Sequence, residues 1–365
     1  MSTSRPTPEA LPRELGAAGL AKRIGLLGLL FAVIGLLIAT VPGIGEVRDR
    51  FADASVGWLV LMVVLEVCSC LSYVVAFKGV FCARLDWRFS YEVGMAEQGT
   101  NVLVPAGGLG GLALGAWVLR QGGMSSERIA RRSVSFFVLT SIPNFLCAAV
   151  LGILLGSGVV PSSGPRLVGL IFGLLALAAI VVVAVLPQGL RRVDPDHDGP
   201  LHEDNLRTRA RRLARRAAGA VAGGVEDTGL LLRRRQPEAL LGAVGYMGFD
   251  LAALAASFEA FGVGPSFAAF AFAYVIGQLG GLVPLPGGIG GIEGGLIGAL
   301  ALYGSPLALA TAAVLAYRVV QLGLPAILGS VAFLQLRRTL TRDEAPAALC
   351  EPSADRLPLF RVPAR

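Results

Sequence analysis

Long apolar runs, each carrying few or no charges, set the pattern of this chain. They cover Ile24–Val41, Val56–Phe77, Ser133–Gly156, Leu167–Leu186, Ala239–Phe261 and Leu307–Leu334. A helix needs roughly 20 apolar residues to cross the hydrocarbon core, so each run predicts a transmembrane helix. The strict alternation of a membrane barrel is absent. No small-residue cleavage site follows the first run, which therefore reads as a retained span.

Two further apolar stretches are broken in the middle. Tyr91–Leu119 contains Pro105, Gly107, Gly108, Gly110 and Gly111. The stretch 262–304 contains Pro284, Pro286, Gly287, Gly288, Gly290 and Gly291. A helix loses backbone hydrogen bonds at such positions. In hydrocarbon this is tolerated only inside protein or beside a water-filled cavity. Each stretch reads either as one irregular crossing or as a re-entrant hairpin.

Charge favours hairpins. Lys78, Arg84 and Arg88 precede the first stretch, and Arg120, Arg128, Arg131 and Arg132 follow it. Positive charge on both flanks places both ends at the cytoplasm. The second stretch has no lysine or arginine on either flank and would enter from outside. With six spans, two hairpins and both termini inside, every lysine and arginine except Arg48, Arg50, Arg166 and Arg318 is cytoplasmic.

Composition agrees with a membrane protein. Charged residues make up 16% and hydrophobic ones 54%, against about 25% charged in soluble chains. The net charge of +7 then reflects cytoplasmic loops facing anionic lipid rather than nucleic acid. His197 and His202 both lie in the polar linker, so no metal or cofactor site is expected. Cys68 and Cys70 read as packing residues. No Ser/His/Asp set or nucleotide loop is present, and an enzyme is not expected.

Three domains follow: a disordered cytoplasmic N-terminus (1–21), a membrane domain (22–338) and a disordered cytoplasmic tail (339–365). The membrane domain carries a basic cytoplasmic linker, 188–238. Within it Leu206–Val221 alternates arginines with alanines. This reads as a helix on anionic inner-leaflet lipid, the arginine cluster spanning 203–235, or as a solvated connector. Oligomeric state is left open.

The runs Gly107–Leu112 and Gly287–Ile292 are nearly identical at an offset of 180 residues (287 − 107). The same offset sets Gln98 on Gln278. It also matches the flanking spans, giving repeat units of about 56–156 and 239–334. One unit begins outside and the other inside, as in the inverted repeats of secondary transporters. Chance in a glycine-rich chain is the alternative. The fold class expected is thus all-α and polytopic, with about six full spans and two re-entrant broken-helix hairpins in an inverted repeat.

Ionisable residues at membrane depth cost about 2.5–3.5 kcal/mol each and usually face a cavity or a partner. Here they are Glu66, Asp250, Glu259, Glu293 and Arg318. Arg318 has Tyr317 and Gln321 beside it. Glu293, just past the second break, is its expected partner. The pair either locks hairpin to span or contacts substrate. Glu66 and Asp250 lie at matching depths of the two units. Glu259 is near an outer end, and Glu92 and Glu97 lie on the first hairpin, Glu92 at the interface. The glycine runs either pack helices closely or present half-helix N-termini to an anion.

The segment Leu285 to Glu293, followed by Tyr317, Arg318, Gln321, Pro325 and Gly329, resembles the transmembrane flippase domain of lysylphosphatidylglycerol synthases. Stand-alone flippase-like membrane proteins of bacteria share that domain. Asn101, Pro105 and the glycines after it, then Leu119, Arg120, Gly123 and Met124, look like the family's first motif. The resemblance covers about residues 20–338. It implies two re-entrant hairpins and movement of lipid between leaflets, in the synthases aminoacylated phosphatidylglycerol. The chain ends in a short tail where the synthases carry a soluble transferase domain, so a member without synthase activity is expected. Leu112 and Ala113 stand where the family often has an acidic residue.

The expected function is a lipid translocase of the bacterial cytoplasmic membrane. It would move a polar-headgroup lipid or lipid-linked precursor past Glu293, Arg318, Asp250, Gln278, Gln98, Glu66, Asn101, Tyr317 and Gln321. A carrier for a small soluble anion and a non-transporting membrane scaffold are the alternatives.

Overall fold

The computed structural model describes residues 17–40, 45–81, 85–104, 109–121, 124–190, 206–282 and 288–341. Its regular elements are all helical. In order they are α1 (Ala17–Thr40), α2 (Gly45–Ala52), α3 (Val56–Phe81), α4 (Trp87–Leu103), α5 (Leu109–Gln121) and α6 (Ser126–Ser157). There follow α7 (Arg166–Leu190), α8 (Leu206–Arg233), α9 (Pro237–Phe261), α10 (Phe267–Gln278), α11 (Gly291–Leu302) and α12 (Leu307–Thr341). A short 3₁₀ turn, Leu279–Leu282, extends α10.

Among the described residues, α3, α6, α7, α9 and α12 are long and apolar enough to cross a membrane. The chain is a multi-pass, all-α membrane protein. The sixth expected span corresponds to α1, 24 residues long. Local chemistry sets several helix ends. Asp86 accepts from the Arg88 amide at 3.1 Å to open α4. Ser125 does the same for α6, and Pro237 occupies the first turn of α9, where its missing N–H costs nothing.

Both broken stretches fold back on themselves, and a single irregular crossing is excluded. The arms α4 and α5 run antiparallel, as do α10 and α11. At 12 residues each, α10 and α11 are about 18 Å long, well short of the ~30 Å core. Glycine lets the second hairpin close. A Cβ on Gly280 would stand 2.0 Å from the carbonyl oxygen of Gly291. Gly288 and Gly290 take φ of 66° and 86°, backbone that side-chain-bearing residues rarely adopt. Pro105, Gly107, Gly108, Pro284, Pro286 and Gly287 lie outside the described residues.

The centre of the bundle is the antiparallel pair α3–α9. Small residues bring the two together: Gly79 meets Ala239, and Gly242 meets Ala76. Around them the hairpins are exchanged. The first hairpin's α4 packs on α12, with Gly99 against Gly329, and the second hairpin's α10 packs on α6. On the periphery α7 leans on α6 through Gly152 and Gly156 facing Gly169 and Gly173, a G-x-x-x-G spacing on both helices.

Several boundaries differ from the sequence reading. Helix α1 starts at Ala17, inside the segment expected to be disordered, and α12 runs to Thr341, past the expected start of the tail. The basic helix does not stop at Val221 but continues as α8 to Arg233. There its C-terminal half docks on α6 through Arg131–Asp227 (2.8 Å) and Ser135–Thr228 (3.0 Å). Burial of the Asp227 carboxyl raises its pKa, and Arg131 opposes the rise.

Candidate functional site

Six elements converge on one polar cavity of about 280 Å³. Glu66, Ser69 and Tyr73 come from α3, Gln98, Asn101 and Val102 from α4, and Tyr246 and Asp250 from α9. The second hairpin adds Gln278, Gly281, Gly288 and Ile292, and α12 adds Arg318, Gln321, Leu322 and Pro325. At ~30 Å³ per water this is room for roughly nine waters.

Asp250 is the hub. Its carboxylate accepts from the Tyr317 hydroxyl at 2.7 Å, from the Tyr274 hydroxyl, and from the Gln321 amide at 3.0 and 3.1 Å. Donors from two other helices therefore surround one buried carboxyl on α9. Such donors replace the water an anion loses on entering a low-dielectric interior.

Beside the hub lies the expected pair. Arg318 Nε donates to Glu293 Oε1 at 2.7 Å, joining α12 to α11. The other guanidinium arm donates to Gln321 Oε1. Glu293 Oε2 in turn accepts from the Gly290 amide at 2.6 Å. One carboxylate thus caps the hairpin helix and ties it to α12. Because Gln321 also binds Asp250, the ion pair and the hub form one network.

Proline completes the α12 wall. Pro325 has no N–H, so it cannot bond the carbonyl of Gln321 four residues earlier. That carbonyl is released from the helix ladder where Pro325 and Gln321 line the cavity.

The first hairpin contributes in another way. Asn101 Oδ1 accepts from the Gly111 amide at 2.8 Å and closes the N-terminus of α5. Gln98 donates to the Cys70 carbonyl at 3.1 Å, tying α4 to α3. Gly115 makes room for the Glu97 carboxyl, which accepts from Tyr73 at 3.0 Å. The two half-helix amides of Gly111 and Gly290 are therefore bonded within the protein. Gly111 and Gly291 serve close packing and Gly290 a left-handed backbone, and neither bonded amide is open to an anion.

All the described residues expected at the site meet there. Tyr317 and Glu293 reach it through Asp250 and Arg318. Glu259 is exposed at the end of α9, as expected. Glu92 is buried rather than interfacial, held by Arg88 at 3.1 Å and Thr339 at 2.8 Å. Sequence reasoning missed Tyr73, Tyr246 and Tyr274. Their signal was available: the chain has 6 tyrosines, and four of them, Tyr317 included, surround this cavity.

A second cavity, about 870 Å³ and mostly apolar, lies between α6, α7 and α8 and holds none of the expected residues.

A family model described as the lysylphosphatidylglycerol synthase TM region matches residues 25–329. Among curated proteins no match to the chain is found.

Proposed function

From the premise that the chain belongs to the lysylphosphatidylglycerol synthase TM region family, we propose that it moves a polar-headgroup lipid or lipid-linked precursor between leaflets. The observation that carries this reading is the polar cavity where both broken hairpins meet α3, α9 and α12. Its volume is just under the ~300–1,000 Å³ of pockets for drug-sized ligands. It suits a headgroup alone, while the acyl chains stay in the bilayer. Arg318, Gln98, Gln278 and Asn101 supply the polar contacts, and no bond is made or broken.

The units 56–156 and 239–334 act as halves of an inverted repeat whose hairpins rock against the α3–α9 pair, alternately opening the cavity to each leaflet. Exchange of arms between the halves, α4 on α12 and α10 on α6, is the packing such a repeat would use. The membrane in question is the bacterial cytoplasmic membrane, with both termini inside. The arginine-rich N-terminal half of α8 then faces anionic inner-leaflet lipid.

The test is reconstitution in sealed vesicles with fluorescent phosphatidylglycerol and an impermeant quencher. Wild-type protein should make the inner-leaflet label accessible. Glu293→Gln and Arg318→Ala should each abolish this while the protein still folds. Wild-type activity in both variants would sink the assignment. Uptake of a water-soluble anion without lipid movement would point to a solute carrier instead.

A further inference from the structure

Three carboxyl groups but one cation meet at the central cavity. Arg318 is the one cation among the described lining residues, and it is bonded to Glu293. Asp250 is held as an anion by Tyr274, Tyr317 and Gln321. Glu66 has no such support. It is 4% exposed, and its Oε2 is buried without a hydrogen-bond partner among the described residues. Asp250 lines the same cavity from α9, across the α3–α9 interface.

Two buried carboxyls lining one small cavity do not readily both ionise. The donors on Asp250 make it the carboxylate, so Glu66 is the acid. We infer that the Glu66–Asp250 pair carries one exchangeable proton and that this proton travels with the lipid headgroup, which makes the protein a proton–lipid symporter. The inference rests on the transport reading above and specifies its energy source.

The other groups around the pair support this assignment. Cys70 and Tyr73 on α3, Tyr246 on α9, Tyr274 on α10 and Tyr317 on α12 ordinarily titrate at roughly 8.5–10. Glu97 on α4 lies behind Tyr73 and bonds to it. Glu293 on α11 is ion-paired to Arg318 on α12. Among the described lining residues, Glu66 and Asp250 are the carboxyl groups that face the cavity.

The coupling is electrostatic. A phosphate-bearing headgroup enters the cavity by leaning on Arg318. With Glu66 protonated the pair holds one negative charge. When the Glu66 O–H bond breaks, the proton leaves to water and the electron pair stays on the carboxylate. The pair then holds two charges and repels the phosphate. Headgroup and proton therefore enter together and leave together.

The experiment uses the full chain in phosphatidylethanolamine–phosphatidylglycerol vesicles with fluorescent phosphatidylglycerol. A pH gradient is imposed with the voltage clamped, and the steady-state ratio of label between leaflets is read. One proton per lipid shifts that ratio about tenfold per pH unit, with label accumulating in the leaflet facing the higher pH. Glu66→Gln should bring the leaflets to equal populations whatever the gradient, at any rate. Lipid movement in wild type that ignores the gradient overturns the coupling and spares the transport reading. No lipid movement at all overturns both. If Glu66→Gln does not fold, infrared spectroscopy of wild type decides. A protonated carboxyl band that titrates with external pH supports the proposal, and its absence overturns it.

Discussion

Replacing Arg318 by methionine keeps most of the side chain's volume and removes its charge. Glu293 then loses its partner at 16% side-chain exposure, and Gln321 Oε1 loses a donor. Breaking a buried pair on one side costs about 3–5 kcal/mol, because the remaining charge is stranded. Adding Glu293→Gln removes that stranded charge, and the new amide oxygen still accepts from the Gly290 amide. The double variant should therefore be only about 1–2 kcal/mol below wild type, near the cost of a hydrogen bond. The assay is denaturant unfolding in detergent of wild type, both single variants and the double variant. The predicted coupling is at least ~2 kcal/mol in favour of the double variant. Additive losses, within about 0.5 kcal/mol, would refute the claim that the pair is one electrostatic unit.

Three other outcomes are expected. Gly329→Val puts a side chain 2.5 Å from the Met95 carbonyl oxygen and forces α4 off α12; it should cost ~1–3 kcal/mol or more in thermal unfolding, whereas Gly323→Val, in open space, should cost less than 1 kcal/mol. Gly290→Ala meets no neighbour, so its loss, about 1–3 kcal/mol, should come from backbone strain at φ 86° alone. Arg131→Ala leaves Asp227 buried without its cation, so α8 should exchange amide hydrogens faster at neutral pH. Burial raises the docked pKa of Asp227, so the docked form binds the proton more tightly. Lowering the pH through that pKa should therefore restore protection, after correction for intrinsic exchange; protection that falls with pH would count against the assignment.

Much of this architecture was legible because membranes impose simple constraints. Apolar length marked the spans, and basic flanks around Pro105, with their absence around Gly287, marked the hairpins. Glu293 and Arg318 could be paired because their elements are neighbours along the chain. Depth alone put Glu66 level with Asp250. That the two share one cavity depends on how closely α3 approaches α9, which is set by Gly79 and Gly242 rather than by any charged residue. Tyr274 was missed for a similar reason: hydropathy reads a tyrosine in an apolar helix as packing, and only the fold reveals that its hydroxyl meets Asp250. The docking of α8 on α6 was hidden because Asp227 looks like one more charge on a polar helix. Its partner, Arg131, had been assigned to topology.

The central claim is that a lipid headgroup enters the cavity. It is tested most directly by photocrosslinking with a phosphatidylglycerol carrying a photoreactive group on its headgroup, followed by mass spectrometry of the full chain. The account predicts label on Gln98, Gln278 and Arg318, reduced when Arg318 is replaced by methionine. Label confined to lipid-facing residues such as Leu174, Val181 and Leu241, with none in the cavity, would contradict it.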